Sequence, residues 1–286
     1  MKKPTPVRPA TRIHSTTREW LPATFDDFAL EIEGLKAAAA ATKSLLLFRG
    51  HRQREWRLDS TFTRSSKQKL FGMNAEDAFS ERRRNSGDLN LALSSLLLFK
   101  YGTMFEPSAE LKQVEDDHGV DSWFELMKRH QQHQEEDSTF LQGTNFLDWS
   151  KNSDVALFFA NEVRTGNGAV FVCDATATGK TLQILPVIEI LNKVRAQLMQ
   201  GQSNGAPLLF FPPKQILNQR AKNQQAVYFA QMEMRVDMLE IWRLSQSNVP
   251  DETICIKVVL PKGTEFETQQ YLVKRKIDKN FIYPDA

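Results

Sequence analysis

The apolar residues of this chain come in short runs whose pattern changes from helical to strand-like along the sequence. Helical spacing dominates the first half and strand-like runs the second, an order that favours an α+β fold over a regular β–α–β array. The pattern predicts helices over 26–41, 75–101, 122–136, 153–163, 186–200 and 270–276, and strands over 44–48, 169–173, 225–231 and 253–260.

The chain has 286 residues, enough for one large domain with a substantial core. Three prolines, Pro4, Pro6 and Pro9, punctuate a basic start, so residues 1–22 are predicted to be a flexible N-terminal segment. No convincing boundary follows, and residues 23–286 are predicted to form a single α+β domain.

Charge and composition exclude several classes of protein. The chain has 37 Lys and Arg residues and 35 Asp and Glu residues, which gives a net charge of +2. It therefore lacks the strong positive charge of proteins that coat nucleic acid along their whole surface. Its two cysteines cannot build a disulfide framework. The longest apolar runs, such as 91–99, are too short to span a bilayer, and the start has no signal-peptide pattern. We therefore expect a cytoplasmic protein with no membrane association.

A phosphate-binding loop motif and a histidine metal-binding motif are each incomplete in this sequence. The stretch 174–181 resembles a phosphate-binding loop, but Asp174 stands where glycine is needed, and its carboxylate would repel phosphate. His130 and His133 have the spacing of one helix face, yet no specific metal-binding motif surrounds them. No metal site is therefore predicted.

The segment 49–69 is locally basic, with seven Lys and Arg residues against two acids, and Trp56 and Phe62 are interleaved. Guanidinium groups bind phosphate in a bidentate manner, and aromatic rings stack on bases or on nicotinamide. This composition predicts a site for a phosphate-bearing ligand or a solvated basic loop. Further along, Asp148, Trp149 and Ser150 lie in a predicted turn before a helix, where they either form a site or cap the helix and fill the core.

Several blocks of the sequence resemble the FRG domain family, which is named for its Phe-Arg-Gly triplet. The triplet is Phe48-Arg49-Gly50, and the family's Leu-Asp-Trp block is found at 147–149. Residues 220–228 resemble its Arg-Ile-x-x-Gln-x-Gly-x-Phe block, and 283–285 resemble its closing Phe-Pro-Asp. Asn145 replaces the usual Arg and Ala226 the usual Gly, and an insertion around 131–139 is expected, so the chain is a divergent member.

The order of these blocks is similar to that of ADP-ribosyltransferases. The resemblance implies a split mixed or antiparallel sheet core, with a helical N-terminal half and helical insertions. It implies NAD as co-substrate, with the Gly50 backbone at the nicotinamide amide and Arg49 at the phosphates. Ser150 would steady Arg49 or the ribose, and Phe158 or Phe159 would support the nicotinamide pocket.

A carboxylate is needed near the ribose, because NAD cleavage passes through a cationic state. The third-strand position that carries Glu in such enzymes is here Gln224, so Asp148 and Glu233 are the candidate acids. The expected catalytic residues are Arg49, Ser150, Gln224, Asp148 and Glu233. The expected NAD-binding residues are Phe48, Gly50, Trp56, Arg64, Trp149, Phe158, Phe159 and Tyr228.

The first hypothesis is therefore an NAD-dependent mono-ADP-ribosyltransferase that modifies nucleic acid, RNA or DNA, or protein. Enzymes that look like this are often toxins or anti-phage effectors, which implies an antitoxin or inhibitor protein as partner. The second hypothesis is a non-catalytic FRG module that binds nucleic acid or a nucleotide. In the third hypothesis, the blocks that resemble the family serve only the core, with Asp148 paired to Arg49 or Arg64.

Overall fold

The structure is a computed structural model that describes residues 12–14, 17–71, 87–105, 142–175, 183–184, 196, 208–210, 219–245 and 255–284. Its strands are β1 Arg12–His14, β2 Thr17–Trp20, β3 Leu46–His51, β4 Phe146–Ser150, β5 Gly168–Asp174, β6 Gln183–Ile184, β7 Leu208–Phe210, β8 Ala226–Ala230 and β9 Cys255–Leu260. Its helices are α1 Phe25–Thr42, α2 Thr61–Phe71, α3 Gly87–Phe105, α4 Ser153–Asn161, α5 Gln219–Asn223, α6 Met238–Ser245, α7 Glu265–Lys274 and α8 Lys279–Ile282.

The described strands form one mixed sheet in the order β1-β2-β9-β5-β3-β4-β8-β7-β6. The pairs β2–β9 and β6–β7 are parallel, and the remaining neighbours are antiparallel. The predicted α+β class and a mixed sheet are confirmed. The helices expected over 122–136 and, apart from residue 196, over 186–200 lie outside the described residues.

A separate apolar core covers each face of the sheet, as the alternation of side chains along a strand requires. On one face, Phe48 and Val172 pack with α1, α4, α7 and α8. On the other face, Leu47 and Phe171 pack with Trp242 of α6 and with the loop segments around Leu58 and Val236. The central strands β3, β4, β5 and β8 are therefore held between two layers.

Polar side chains cap the starts of α1 and α4, two helices that face these cores. Thr24 and Asp27 form a reciprocal capping box at the start of α1, close to the predicted start of that helix. Asn152 caps α4 by accepting a hydrogen bond from the Asp154 backbone N–H. The predicted helix over 153–163 is thus found over 153–161, whereas the one predicted over 270–276 begins earlier, at Glu265.

Two segments for which the sequence predicted another conformation are strands. Residues 17–20, within the expected flexible segment, form a strand beside β9, where Glu19 accepts two hydrogen bonds from Arg54, of 3.0 and 2.7 Å, and lies 3.2 Å from Lys257. The predicted turn at 146–150 is instead strand β4, which pairs with β8 along all five residues. In both places long-range partners, absent from any local pattern, determine the structure.

Candidate functional site

The sheet is nearly open between β3 and β4. A single residue pair, Phe48 with Ser150, joins these strands, whereas β3 pairs with β5 over six residues and β4 with β8 over five. A cavity of about 330 Å³ lies at this junction. Its size is at the lower end of the range for small-molecule sites.

The cavity collects side chains that are far apart in the sequence. It is lined by β3, β4 and β8, by the loop that follows β3, and by helices α2, α4 and α5. All but two of the residues expected from sequence lie in its wall. They are Phe48, Arg49, Gly50, Trp56, Arg64, Asp148, Trp149, Ser150, Phe159, Gln224 and Tyr228.

Arg49 spans the opening between the two strands. Its Nε donates to His51 Nε2 at 3.1 Å, and its Nη1 donates to the backbone carbonyl of Asp148 on β4. Burial lowers the pKa of Arg49 to about 10, against the opposing charge of Asp148, so the guanidinium still carries its charge at neutral pH. Two of its donors are thus used within the protein.

His51 lies beneath this guanidinium and is neutral. Burial, followed by the charges of Arg49 and Arg64, lowers the pKa of His51 well below its usual range. A neutral imidazole leaves Nε2 free to accept the Arg49 hydrogen bond, which fixes the proton on Nδ1. The ring also packs edge-on against Trp56 and Phe171.

Gly50 allows α4 to lie directly on β3. A Cβ atom at this position would overlap the carbonyl oxygen of Ala156 and would come within 2.7 Å of the Ala160 nitrogen. Only glycine permits this approach. The helix therefore forms one wall of the cavity, with Ala156 and Phe159 facing into it.

Ser150 and Gln224 hold the opposite wall in place. The Ser150 hydroxyl donates to the carbonyl of Gln224 at 2.7 Å and accepts from the Asn152 N–H at 2.9 Å. The Gln224 side chain donates to the carbonyl of Ile282 at 3.1 Å. Both residues line the cavity, but the expected contact of Ser150 with Arg49 is made instead by the backbone of Asp148.

Asp148 and Trp149 point to different sides of β4. Asp148 is the exposed residue of this strand, and its carboxylate lies in the cavity wall close enough to act on the charge of Arg49. Trp149 is buried and packs edge-on against Phe229 and Trp242, at centroid distances of 5.5 and 6.0 Å. Trp149 therefore belongs mainly to the core beneath the cavity.

Glu233 and Phe158 lie outside the cavity. Glu233 follows β8 on a buried loop, where its carboxylate accepts hydrogen bonds of 2.8 and 2.7 Å from the Arg235 guanidinium. Phe158 packs in the core beneath α4, because neighbouring residues of a helix point about 100° apart and Phe159 takes the cavity side. Of the two expected acids, only Asp148 reaches the cavity.

Seven lining residues were not among the expected site residues, and four of them are polar or charged: His51, Arg52, Glu162 and Arg220. The sequence did carry a signal for Arg52, which is one of the seven basic residues of the segment 49–69, and its guanidinium lies 5.1 Å from the centroid of the Trp56 ring. Glu162 and Arg220 are distant in sequence and meet only through the C-terminal segment. Counting them, the lining holds four arginines and two carboxylates, which favours an anionic ligand: Arg49, Arg52, Arg64, Arg220, Asp148 and Glu162.

Within the described residues, no group of three His, Cys, Asp or Glu side chains is placed to hold a metal ion. In the same part of the chain, no helix is long and apolar enough to cross a membrane.

The FRG domain family model matches residues 44–167, from just before β3 to the residue before β5, and this stretch supplies Arg49, Gly50, Asp148 and Ser150 to the cavity. No curated protein and no solved structure matched the chain. The resemblance seen in the sequence is confirmed over this stretch, because residues 44–167 match the FRG domain family model.

Proposed function

We propose that the cavity between β3 and β4 binds NAD and that the protein transfers ADP-ribose from it to an acceptor. The observation that carries this proposal is the meeting of Arg49, Asp148 and Ser150 in one cationic cavity of about 330 Å³ with an aromatic side. Guanidinium groups suit the pyrophosphate of NAD, and Trp56 and Phe159 suit its flat rings.

The opening of the sheet supports an ADP-ribosyltransferase-like fold as part of this proposal. Within the described residues, Phe48–Ser150 is the sole strand pairing between β3 and β4, so the sheet is effectively split beside the Arg-Gly sequence of β3. The helix that follows Ser150 then closes over Gly50. This order of strand, split and helix is the one that the motif resemblance implies.

Transfer would break the glycosidic bond between ribose C1′ and the nicotinamide nitrogen. The electron pair leaves with nicotinamide, which becomes neutral, and an acceptor oxygen or nitrogen forms the new bond to C1′. The Asp148 carboxylate would stabilise the cationic ribose and take the acceptor's proton. Glu162, at the end of α4, is the other carboxylate in the lining.

We propose nucleic acid as the acceptor, with protein as the competing outcome. Arg52 is exposed and lies over the half-buried Trp56 ring in the cavity wall, a pair suited to a phosphate and a stacked base. Should the activity be toxic to its host, a partner protein that blocks the cavity would be required. The proposed toxin or anti-phage activity rests on the family resemblance alone.

A binding module without catalysis is the second candidate, and specific contacts favour it. The amide of Gln224 is bound to Ile282, and the hydroxyl of Ser150 is bound to two backbone groups. Glu233 is paired with Arg235 outside the cavity. Catalysis therefore depends on Asp148 or Glu162, whereas binding needs only the cationic lining.

The test is to incubate the purified protein with radiolabelled NAD and cell lysate, then to separate protein from nucleic acid and to measure free nicotinamide. Asp148→Asn should reduce turnover at least about 100-fold, the size expected for a group acting on the transition state. Glu267→Gln, on the exposed face of α7, is the matched control and should leave turnover unchanged. NAD binding by the wild type without nicotinamide release would instead establish the binding module.

A further inference from the structure

Arg220, on the short helix α5, lies in the cavity wall with a donor to spare. Its Nε is buried, and within the described part of the chain it has no hydrogen-bond partner. Within the same described residues, the Nη groups of Arg220 have no hydrogen bond or ion pair either. An arginine in a cavity wall whose Nη groups find no acceptor in the protein points to an anion supplied by a ligand.

The guanidinium is braced from behind by the C-terminal segment. Its carbon atom lies 4.9 Å from the centroid of the Tyr283 ring. A guanidinium that lies over an aromatic face keeps its planar edge available for hydrogen bonds. Tyr283 thus restricts the orientation of Arg220 without using its donors.

Tyr283 is itself fixed by several contacts. Its hydroxyl donates to Glu162 at 3.1 Å, and its ring meets those of Phe158 and Phe159 edge-on. Burial and the charge of Glu162 raise the pKa of Tyr283 to about 12, so the hydroxyl keeps its proton and remains a donor at neutral pH.

The backbone before Tyr283 is also tied to the cavity wall. Asn223 Nδ2 donates to the carbonyl of Phe281 at 2.6 Å, and Gln224 Nε2 donates to that of Ile282 at 3.1 Å. Residues 281–283 are therefore bound to the end of α5, next to Arg220. Residues 281–283 therefore restrict the orientation of Arg220 in the cavity wall.

We propose that Arg220, braced by Tyr283, forms an anion-binding subsite of the cavity that takes a phosphate group of the bound nucleotide. Arg49 is less suited to this task, since two of its donors already bind His51 and the Asp148 carbonyl. Two phosphate oxygens match the two Nη groups at the end of a guanidinium in a bidentate manner. The identity of the nucleotide rests on the proposed function, but the anion subsite does not.

The test is calorimetric titration with inorganic pyrophosphate. Arg220→Gln should weaken pyrophosphate binding at least about tenfold, while Lys222→Gln, an exposed cation on the same helix, should change it less than about twofold. Arg220→Lys, which keeps the charge and the stem but loses the planar fork, should give an intermediate loss if Arg220→Gln proves unstable. Equal affinity of the wild type and Arg220→Gln, or no binding by the wild type, would overturn the proposal.

The brace is tested separately. Tyr283→Leu removes the ring and should weaken pyrophosphate binding, and Tyr283→Phe keeps the ring and should retain most of it. NAD turnover, measured in parallel, separates this inference from the proposed function. If pyrophosphate binds through Arg220 but NAD is not turned over, the anion subsite is supported and the transferase proposal is rejected. If NAD is turned over and Arg220→Gln leaves the KM for NAD unchanged, the transferase proposal is supported and the subsite is rejected.

Discussion

The side chain of Arg49 joins β3 to β4, where strand pairing is limited to a single residue pair. Its guanidinium donates a hydrogen bond to the Asp148 carbonyl across the opening, and a second one to His51 Nε2, which fixes its orientation. A neutral His51 is required for this arrangement, and burial keeps it neutral. Arg49 therefore contributes to the site mainly through its charge and through the shape of the opening.

Gly50 offers a test at the scale of one residue. Gly50→Ala should destabilise the protein by about 1–3 kcal/mol, because the new methyl group would overlap the backbone of α4 and force the helix away from β3. Gly34→Ala is the matched control, since a Cβ atom there has no neighbour within 4 Å. That substitution, in the middle of α1, should stabilise by about 0.5–1 kcal/mol. Denaturant unfolding measures both, and a Gly50→Ala variant as stable as the wild type would contradict the close packing.

Strands β4 and β5 show how far the sequence could predict the strands of the central sheet. The apolar run of β5 was identified to within one residue at each end, since seven successive residues form a buried strand between two neighbours. In β4, Asp148 interrupts a shorter run, and the segment was interpreted as a turn. Its strand conformation comes from the five-residue pairing with β8, more than 70 positions away.

The candidate site divides in the same way. Motif blocks identified the site residues that β3, β4 and α4 contribute, because these blocks are continuous in sequence. Arg220, Glu162 and Tyr283 could not be grouped in advance, since they meet only when the C-terminal segment docks beside α5. Phe158 and Phe159 were equivalent in the pattern, and the packing of α4 separated them.

Helix α6 begins at the carboxyl group of Asp237. Asp237 accepts a hydrogen bond of 2.9 Å from the Glu240 N–H, and burial, together with the nearby Asp59 charge, raises the pKa of Asp237 to about 6. The folded state thus holds this proton more tightly than the unfolded state, in which the pKa is about 3.9. Stability from the protonated form is present at low pH and is lost as the pH rises towards 6.

Asp237→Asn should therefore raise the free energy of unfolding at pH 8 by about 1–3 kcal/mol and have a smaller effect near pH 4. Asparagine keeps the cap, because its side-chain oxygen also accepts from the backbone. Asp278→Asn, at the exposed cap of α8, is the control and should bring no such gain at pH 8. Denaturant unfolding at both pH values decides, and an equal effect at pH 4 and pH 8 would exclude this ionisation.

At the scale of the whole molecule, the N-terminal strand is connected to the cavity through one carboxylate. Glu19 of β2 binds Arg54 in the loop after β3 and Lys257 of β9. The same loop carries Arg52 and Trp56 into the cavity wall, and the Arg54 N–H donates to the Asn167 carbonyl at 2.8 Å. A chain of contacts therefore connects strand β2, the loop and the cavity wall.

Glu19→Gln should destabilise the protein by about 1–3 kcal/mol, because two partly buried cations lose their shared anion. Burial works to raise the pKa of Glu19, but Arg54 and Lys257 hold it below its usual range, so the loss should be full at pH 7 and should shrink as the acid protonates at low pH. Hydrogen exchange should show faster exchange at the Arg54 amide than in the Glu267→Gln control. Pyrophosphate binding should weaken with it, since a looser loop no longer positions Arg52. Unchanged exchange at Arg54 would mean that the loop is held by the Asn167 bond alone and that the N-terminal strand is independent of the cavity.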